Sequence, residues 1–145
     1  AGIACAVMTA DCLPVLFCDQ SGDKVAAAHA GWRGLASGVL LNTLKEFSDV
    51  SQVSAYLCPA IGFEAFEVGP EVKAAFPDAP ETCFRNGEGD RWYADLFELA
   101  RWQLTHAGIG SVHGGGVCTF EDESGYFSYR RDGVTGRQVS LIWKA

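Results

Sequence analysis

The chain has 145 residues, of which 48% are hydrophobic and 20% are charged, proportions typical of a globular protein with a buried core. Its net charge is −7 and its sequence pI is about 4.8, so there is no broad basic field to hold nucleic acid or an anionic membrane surface. The apolar runs are far shorter than the roughly 20 residues that cross a bilayer. We therefore expect a single domain with no nucleic-acid partner and no membrane association.

The first part of the chain is predicted to form three strands and then a helix. Apolar runs separated by turn residues predict strands at 3–9, 13–18 and 24–30. Apolar residues at helical spacing predict a helix over 34–47, and a further strand is expected at 52–57.

The second part of the chain mixes helices and strands in the same way. Pro70 lies at a position typical of the first turn of a short helix, and a longer helix is predicted near 93–107, ended by Gly108. Because helices and strands do not alternate strictly, we expect an α+β fold of mixed β-sheets with flanking helices. The remaining predicted strands lie near 109–113, 117–120, 125–130 and 138–143.

The cysteine content bears on the compartment. Six cysteines in 145 residues are far fewer than a disulfide-built domain uses, and several stand in apolar runs where cysteine behaves as a small hydrophobic residue. We expect free thiols and a reducing, cytoplasmic compartment. The cysteines are Cys5, Cys12, Cys18, Cys58, Cys83 and Cys118.

Two strand ends carry residues with catalytic chemistry. Cys12 follows the first predicted strand in the sequence TADC, and His29 ends the third in HAGWRG. If these strands pair, the thiol and the imidazole reach one rim of the sheet. There they could form a thiolate–imidazole dyad or part of a zinc site, which would need at least one more protein ligand, or they could be purely structural.

A third group lies near the end of the chain. The sequence YFSYRRDG places Arg130 and Arg131 side by side among aromatic residues, where guanidinium groups could clamp a phosphate or a carboxylate. The alternative is that both arginines pair with nearby surface acids. His106 is expected to interact with the C-terminal end of its helix, and His113 is expected to be structural.

Four segments of the chain resemble the YfiH, or laccase-domain (DUF152), family. They are MTADCLPVLFCD, VAAAHAGWRGL, PAIGFEAFEVGPEV and YFSYRRDGVTGRQVSLIW, and they occur in the family's order along almost the whole chain. The resemblance implies a YfiH-like α+β fold. It also implies purine nucleoside phosphorylase activity on adenosine, inosine, guanosine and methylthioadenosine, together with adenosine deaminase activity.

The resemblance further implies a zinc ion held by a His-Cys-His set. Cys12 and His29 match two of these ligands and are the predicted catalytic residues, whereas the first histidine belongs to an N-terminal motif that has no counterpart here. We therefore expect residues 1–145 to be the C-terminal portion of a longer domain. The oligomeric state is left open.

Phosphorolysis of a purine nucleoside requires cationic groups that bind the attacking phosphate. The reaction passes through a cationic ribosyl transition state while phosphate attacks, so the site has to hold an anion. The predicted phosphate ligands are Arg33, in the GWRG sequence, and Arg130 or Arg131.

Other functions stay open at this point. The family's older label, polyphenol oxidase or laccase, would require several histidine-rich copper sites, and the chain has three histidines. A Cys-His hydrolase and a catalytically silent fragment are the further alternatives.

Overall fold

A computed structural model describes residues 2–145 and has the expected α+β architecture, with strands in three sheets and short helices beside them. The strands are β1 Ala4–Thr9, β2 Leu13–Asp19, β3 Val25–Ala30, β4 Val53–Leu57, β5 Glu67–Val68, β6 Phe84–Asn86, β7 Trp92–Ala94, β8 Ser111–Gly114 and β9 Gln138–Trp143. The helices are α1 Trp32–Ala36, α2 Val39–Leu44, α3 Pro70–Ala74, α4 Leu96–His106 and α5 Tyr129–Asp132.

A four-stranded sheet with the order β3-β2-β4-β8 organises the core. Its first three strands are antiparallel, and β8 joins parallel to β4. Leu13, Val15 and Phe17 alternate along β2 and are fully buried, as the two-residue period of a strand requires. They belong to one apolar cluster with residues of α1, α2 and α4, such as Leu40 and Leu104.

A separate two-stranded ribbon, β1 paired antiparallel with β9, packs against β2 and β3. The alternation of its side chains gives it two different faces. Val7 and Thr9 point inward and are buried, whereas Met8, Leu141 and Trp143 lie on the outward face and are largely exposed. The ribbon thus brings the C-terminal strand beside the end of β1, where Cys12 follows.

The helix predicted over 34–47 is wrong as a continuous element. It is divided into α1 and α2 by Ser37 and Gly38, and Gly38 has a φ of +81°, a left-handed conformation that glycine adopts without steric cost. Helical spacing of the apolar residues persists across the break, which is why periodicity alone did not reveal it.

The region after β8 also differs from the prediction. The expected strand at 117–120 is only a single bridge between Ala60 and Cys118, and 125–130 is not a strand. Instead, Ser128 accepts a hydrogen bond from the Arg131 N–H and begins α5. Aromatic residues favoured the strand prediction, but the serine cap and long-range contacts favour the helix.

The long helix begins later than predicted because a short strand precedes it. The residues before it form β7, which pairs with β5 and β6 in a small sheet that the sequence analysis missed. Asp95 then accepts a hydrogen bond from the Glu98 N–H at 3.0 Å and caps α4. Pro70 stands at the start of α3, as predicted.

Two further expectations concern the chain as a whole. All six cysteines are free, as predicted. Over residues 2–145, the helices are too short or too polar for any of them to cross a bilayer.

Candidate active site

Cys12 and His29 lie at neighbouring strand ends of the same sheet. Cys12 immediately precedes β2, and His29, near the end of β3, pairs with Pro14 in the antiparallel register. The chain leaves β3 through Gly31 and enters α1 at Trp32. The β1–β2 corner and the β3–α1 junction therefore meet at one rim.

Gly31 lies next to both side chains, and because it has no side chain of its own it leaves room between them. A Cβ atom at this position would lie 2.8 Å from Cys12 Sγ and 4.0 Å from His29 Nε2. The sulfur and the ring nitrogen thus border the same point, and the absent side chain leaves room between them. Thiolate sulfur and imidazole nitrogen are both zinc donors, so this pair fits two of the three protein ligands of a catalytic zinc site.

The environment of Cys12 disfavours its thiolate. Burial raises the pKa of the Cys12 thiol, the adjacent Asp11 carboxylate raises it further, and the guanidinium of Arg137 acts in the opposite direction. A cysteine nucleophile needs a lowered pKa. The surroundings therefore favour the neutral thiol over the thiolate.

A cleft of about 460 Å³ opens beside Cys12, within the size range of small-molecule sites. One part of its wall is apolar and aromatic, with Trp32, Phe66 and Leu96. The other part is basic. The arginines that line the cleft are Arg33, Arg130 and Arg137.

Each of these arginines is held by its surroundings. The guanidinium of Arg33 lies 4.3 Å from the centroid of the Trp32 ring, a cation–π distance. Arg130 Nη1 donates to the Glu67 carbonyl at 2.7 Å, and Arg137 Nη1 donates to the Gly136 carbonyl at 2.8 Å. The cleft is therefore lined by three cationic side chains and one acidic residue, Asp11, in a protein with a net charge of −7.

Arg131, the other predicted phosphate ligand of this pair, does not line the cleft. Its side chain is 16% exposed, and its guanidinium donates to the carbonyls of Thr119 and Phe120, each at 3.0 Å. It also donates to the Tyr126 carbonyl and to the Asp132 carboxylate. Of the two adjacent arginines, Arg130 faces the cleft and Arg131 holds the preceding loop together.

Arg137 and Asp11 are site residues to which the sequence analysis gave no role. Arg137 lies in a turn just before β9, and only the pairing of β9 with β1 brings it to Cys12. Asp11 was visible in TADC, but nothing local indicated its burial. The signal for Arg137 was present in the segment DGVTGR, as its single positive charge, which follows two turn glycines.

The other two histidines lie elsewhere. His106 is at the end of α4, where its Nδ1 is 2.9 Å from the Trp102 carbonyl oxygen. His113 is on β8 beside Ser111. Over residues 2–145, no three histidine, cysteine or acidic side chains are grouped as metal ligands. The zinc site with a third ligand stays a prediction from the resemblance.

Comparison with known proteins places the chain in a family. A family model described as multi-copper polyphenol oxidoreductase laccase matches residues 1–145. The chain belongs to this family. Within this laccase-like family, the chain is 52% identical over 145 residues to the purine nucleoside phosphorylase YfiH of Escherichia coli, and the match covers 98% of this chain and 60% of that protein.

Further relatives agree with this membership. A purine nucleoside phosphorylase of Pseudomonas aeruginosa is 50% identical over 147 residues, which cover 98% of this chain and 61% of the relative. The crystal structure of a Neisseria meningitidis DUF152 protein matches with a TM-score of 0.94 and 55% identity, covering 97% of this chain and 60% of that one. The α+β fold is thus shared with the family's solved structures, and the chain spans about 60% of the length of these relatives.

Proposed function

We propose that the protein is a purine nucleoside phosphorylase whose phosphate and nucleoside bind in the cleft beside Cys12. The observation that carries this proposal is the meeting of three arginines, an aromatic wall and Cys12 around one cavity. His29 lies beside Cys12, next to Gly31. The names of the curated relatives support the same reaction.

The arginines supply what the attacking phosphate requires. A phosphate oxygen forms a bond to C1′ of the ribose as the C1′–N9 bond breaks, and the products are ribose 1-phosphate and the free purine. The purine leaves with the electron pair of the broken bond and takes up a proton. Arg33, Arg130 and Arg137 would orient the phosphate and balance its charge through charge-assisted hydrogen bonds.

The apolar part of the cleft suits the purine. Trp32 and Phe66 contribute aromatic rings to the lining, and Leu96 and Ile61 contribute aliphatic side chains. Arg33 and Arg130 lie 4.3 Å and 5.4 Å from the ring centroids of Trp32 and Phe66 respectively, so aromatic and cationic groups adjoin. A nucleoside with its base on the rings would bring C1′ toward the arginines.

Zinc is the cofactor that we propose, with Cys12 Sγ and His29 Nε2 as two of its ligands. When bound, zinc supplies Lewis acidity that lowers the pKa of water. This chemistry would support the second proposed activity, in which water replaces the 6-amino group of adenosine and releases ammonia. The free thiols agree with a reducing compartment, and the cytoplasm stays our prediction.

Two alternatives fit the site less well. A Cys-His hydrolase needs a cysteine that ionises readily, whereas burial and Asp11 raise the pKa of Cys12. A multi-copper oxidase needs converging histidines, whereas the three histidines of this chain lie at three separate places.

The experiment supplies inosine and phosphate and measures hypoxanthine and ribose 1-phosphate, with ammonia release from adenosine measured in parallel. We expect hypoxanthine and ribose 1-phosphate to form. We expect Cys12→Ser and Arg130→Gln to lower the rate of their formation at least about a hundredfold. Arg91→Gln is the matched control, since Arg91 contacts Glu67 outside the cleft. Absence of phosphorolysis, or full activity in Cys12→Ser, would refute the proposal and favour a catalytically silent domain.

A further inference from the structure

Asp11 has a sterically unfavourable backbone conformation, whose free-energy cost has to be offset by contacts of the residue. Its φ is +95°, and within residues 2–145 it is the only residue other than glycine with a positive φ. This region is sterically unfavourable for side-chain-bearing residues and persists only where the surrounding contacts enforce it. Asp11 directly precedes Cys12, so its backbone conformation sets the direction of the chain at Cys12 after the end of β1.

The contacts that enforce this conformation come from three residues that are distant from Asp11 in the sequence. Asp11 is 8% exposed, and its Oδ1 accepts a hydrogen bond at 2.8 Å from the hydroxyl of the fully buried Thr119. Its Oδ2 accepts one at 2.7 Å from the backbone N–H of Arg130. Its carbonyl accepts a third, at 2.9 Å, from the Ile61 N–H.

The bond to Arg130 has a specific consequence. The N–H groups in the first turn of a helix have no partner within the helix, and Asp11 accepts from one of them at the start of α5. The same carboxylate therefore fixes the backbone that carries Arg130 and the corner that carries Cys12. These two residues line the same cleft.

We propose that Asp11 is a positioning residue that holds Cys12 and Arg130 in register across the cleft. This inference rests on the proposed function, because it assigns Asp11 a task only if the cleft binds phosphate and Cys12 takes part in the reaction. The carboxylate acts through its two hydrogen bonds, from the Thr119 hydroxyl and from the Arg130 N–H.

Three variants separate the hydrogen bonds from the charge and from the backbone. Asp11→Asn removes the charge but can keep both bonds, since its amide oxygen accepts from Arg130 and its amide nitrogen donates to Thr119. Asp11→Gly tolerates the positive φ but loses both bonds. Thr119→Val keeps the charge and loses one bond, and it is the second variant if Asp11→Gly does not fold.

The measurements are the dissociation constant of inorganic phosphate and the rate at which iodoacetamide alkylates Cys12, located by peptide mass. We expect Asp11→Gly to weaken phosphate binding at least about tenfold, while Asp11→Asn stays within about threefold of the unaltered protein. We expect Cys12 to react at least about fivefold faster in Asp11→Gly than in Asp11→Asn. Asp49→Gly is the control, since Asp49 caps an exposed turn away from the cleft.

Two results would overturn the inference. If Asp11→Gly and Thr119→Val lower the Tm but change neither measurement, Asp11 is only structural. If Asp11→Asn weakens phosphate binding and speeds alkylation of Cys12 as much as Asp11→Gly does, the charge matters and the hydrogen bonds do not. Should the unaltered protein bind no phosphate, the proposed function fails, and the alkylation rates of the two Asp11 variants still decide whether Asp11 positions Cys12.

Discussion

At the scale of single residues, the close approach of Cys12 and His29 to Gly31 depends on the glycine's lack of a side chain. The GWRG sequence after β3 allows Cys12 Sγ to approach the Cα of Gly31, and His29 Nε2 borders the same space. The φ of −64° at Gly31 is one that any residue can adopt, so the glycine is needed for room and not for backbone freedom.

Gly31→Ala should therefore displace Cys12 without straining the backbone. The new Cβ would lie 2.8 Å from Sγ, which forces the sulfur away from His29. We expect phosphorolysis to fall at least about tenfold, with the free energy of unfolding lowered by no more than about 2 kcal/mol. The comparison is Gly34→Ala in α1, the helix that follows Gly31; its Cβ would approach the His29 carbonyl at 3.1 Å and not Cys12. Equal activity of the two variants would contradict this account of Gly31.

At the scale of elements, the short helix α5 separates two adjacent arginines. Its first turn directs Arg130 into the cleft, and its next residue, Arg131, reaches back to three carbonyls of the preceding loop. The sequence suggested that this pair could act as one clamp. A helix turns by about 100° per residue, so neighbouring side chains diverge.

Substitution of Arg131 should mainly lower the Tm, whereas substitution of Arg130 should mainly weaken phosphate binding. Arg131→Lys cannot reach several carbonyls at once, so we expect the Tm to fall by several degrees while the phosphate dissociation constant stays unchanged. Arg130→Lys should weaken phosphate binding with a smaller loss in Tm. Thermal unfolding and phosphate titration of both variants check this, and weaker phosphate binding in Arg131→Lys at an unchanged Tm would contradict it.

At the scale of the whole molecule, the parts that could be predicted are those set by local pattern. Strands β1 to β4 and the end of α4 just before Gly108 follow from alternation and turn residues, and the motifs pointed to Cys12, His29 and Arg33. What could not be predicted depends on contacts between distant segments. Arg137 reaches the cleft only because β9 pairs with β1, and Asp11 is buried only because the loop carrying Thr119 covers it.

The ribbon of β1 and β9 leaves an apolar surface uncovered. The cross-strand pairs Met8–Val139, Ala6–Leu141 and Ala4–Trp143 lie on its outward face. Met8 is 63% exposed and Trp143 is 61% exposed. Contiguous apolar surface of this kind is unusual on a free protein and binds apolar probes.

We expect this face to bind the dye 1-anilinonaphthalene-8-sulfonate. Replacing Met8 and Leu141 together by lysine should lower the dye fluorescence severalfold, since both side chains point to solvent and their loss costs little packing. Val134→Lys, at a position that is 98% exposed and outside the ribbon, is the control. Dye binding that persists in the double variant would place the apolar surface elsewhere.

The central claim is that the arginine-lined cleft beside Cys12 holds the phosphate, and Arg137 tests it most directly. Its place in the cleft follows from the fold, and its contacts with Thr135 and Gly136 are to carbonyls of its own turn. The measurement is the dissociation constant of inorganic phosphate for the unaltered protein and for Arg137→Gln, with Arg91→Gln as control. We predict binding at least about tenfold weaker in Arg137→Gln and unchanged in Arg91→Gln. Equal phosphate affinity in all three proteins would contradict the account.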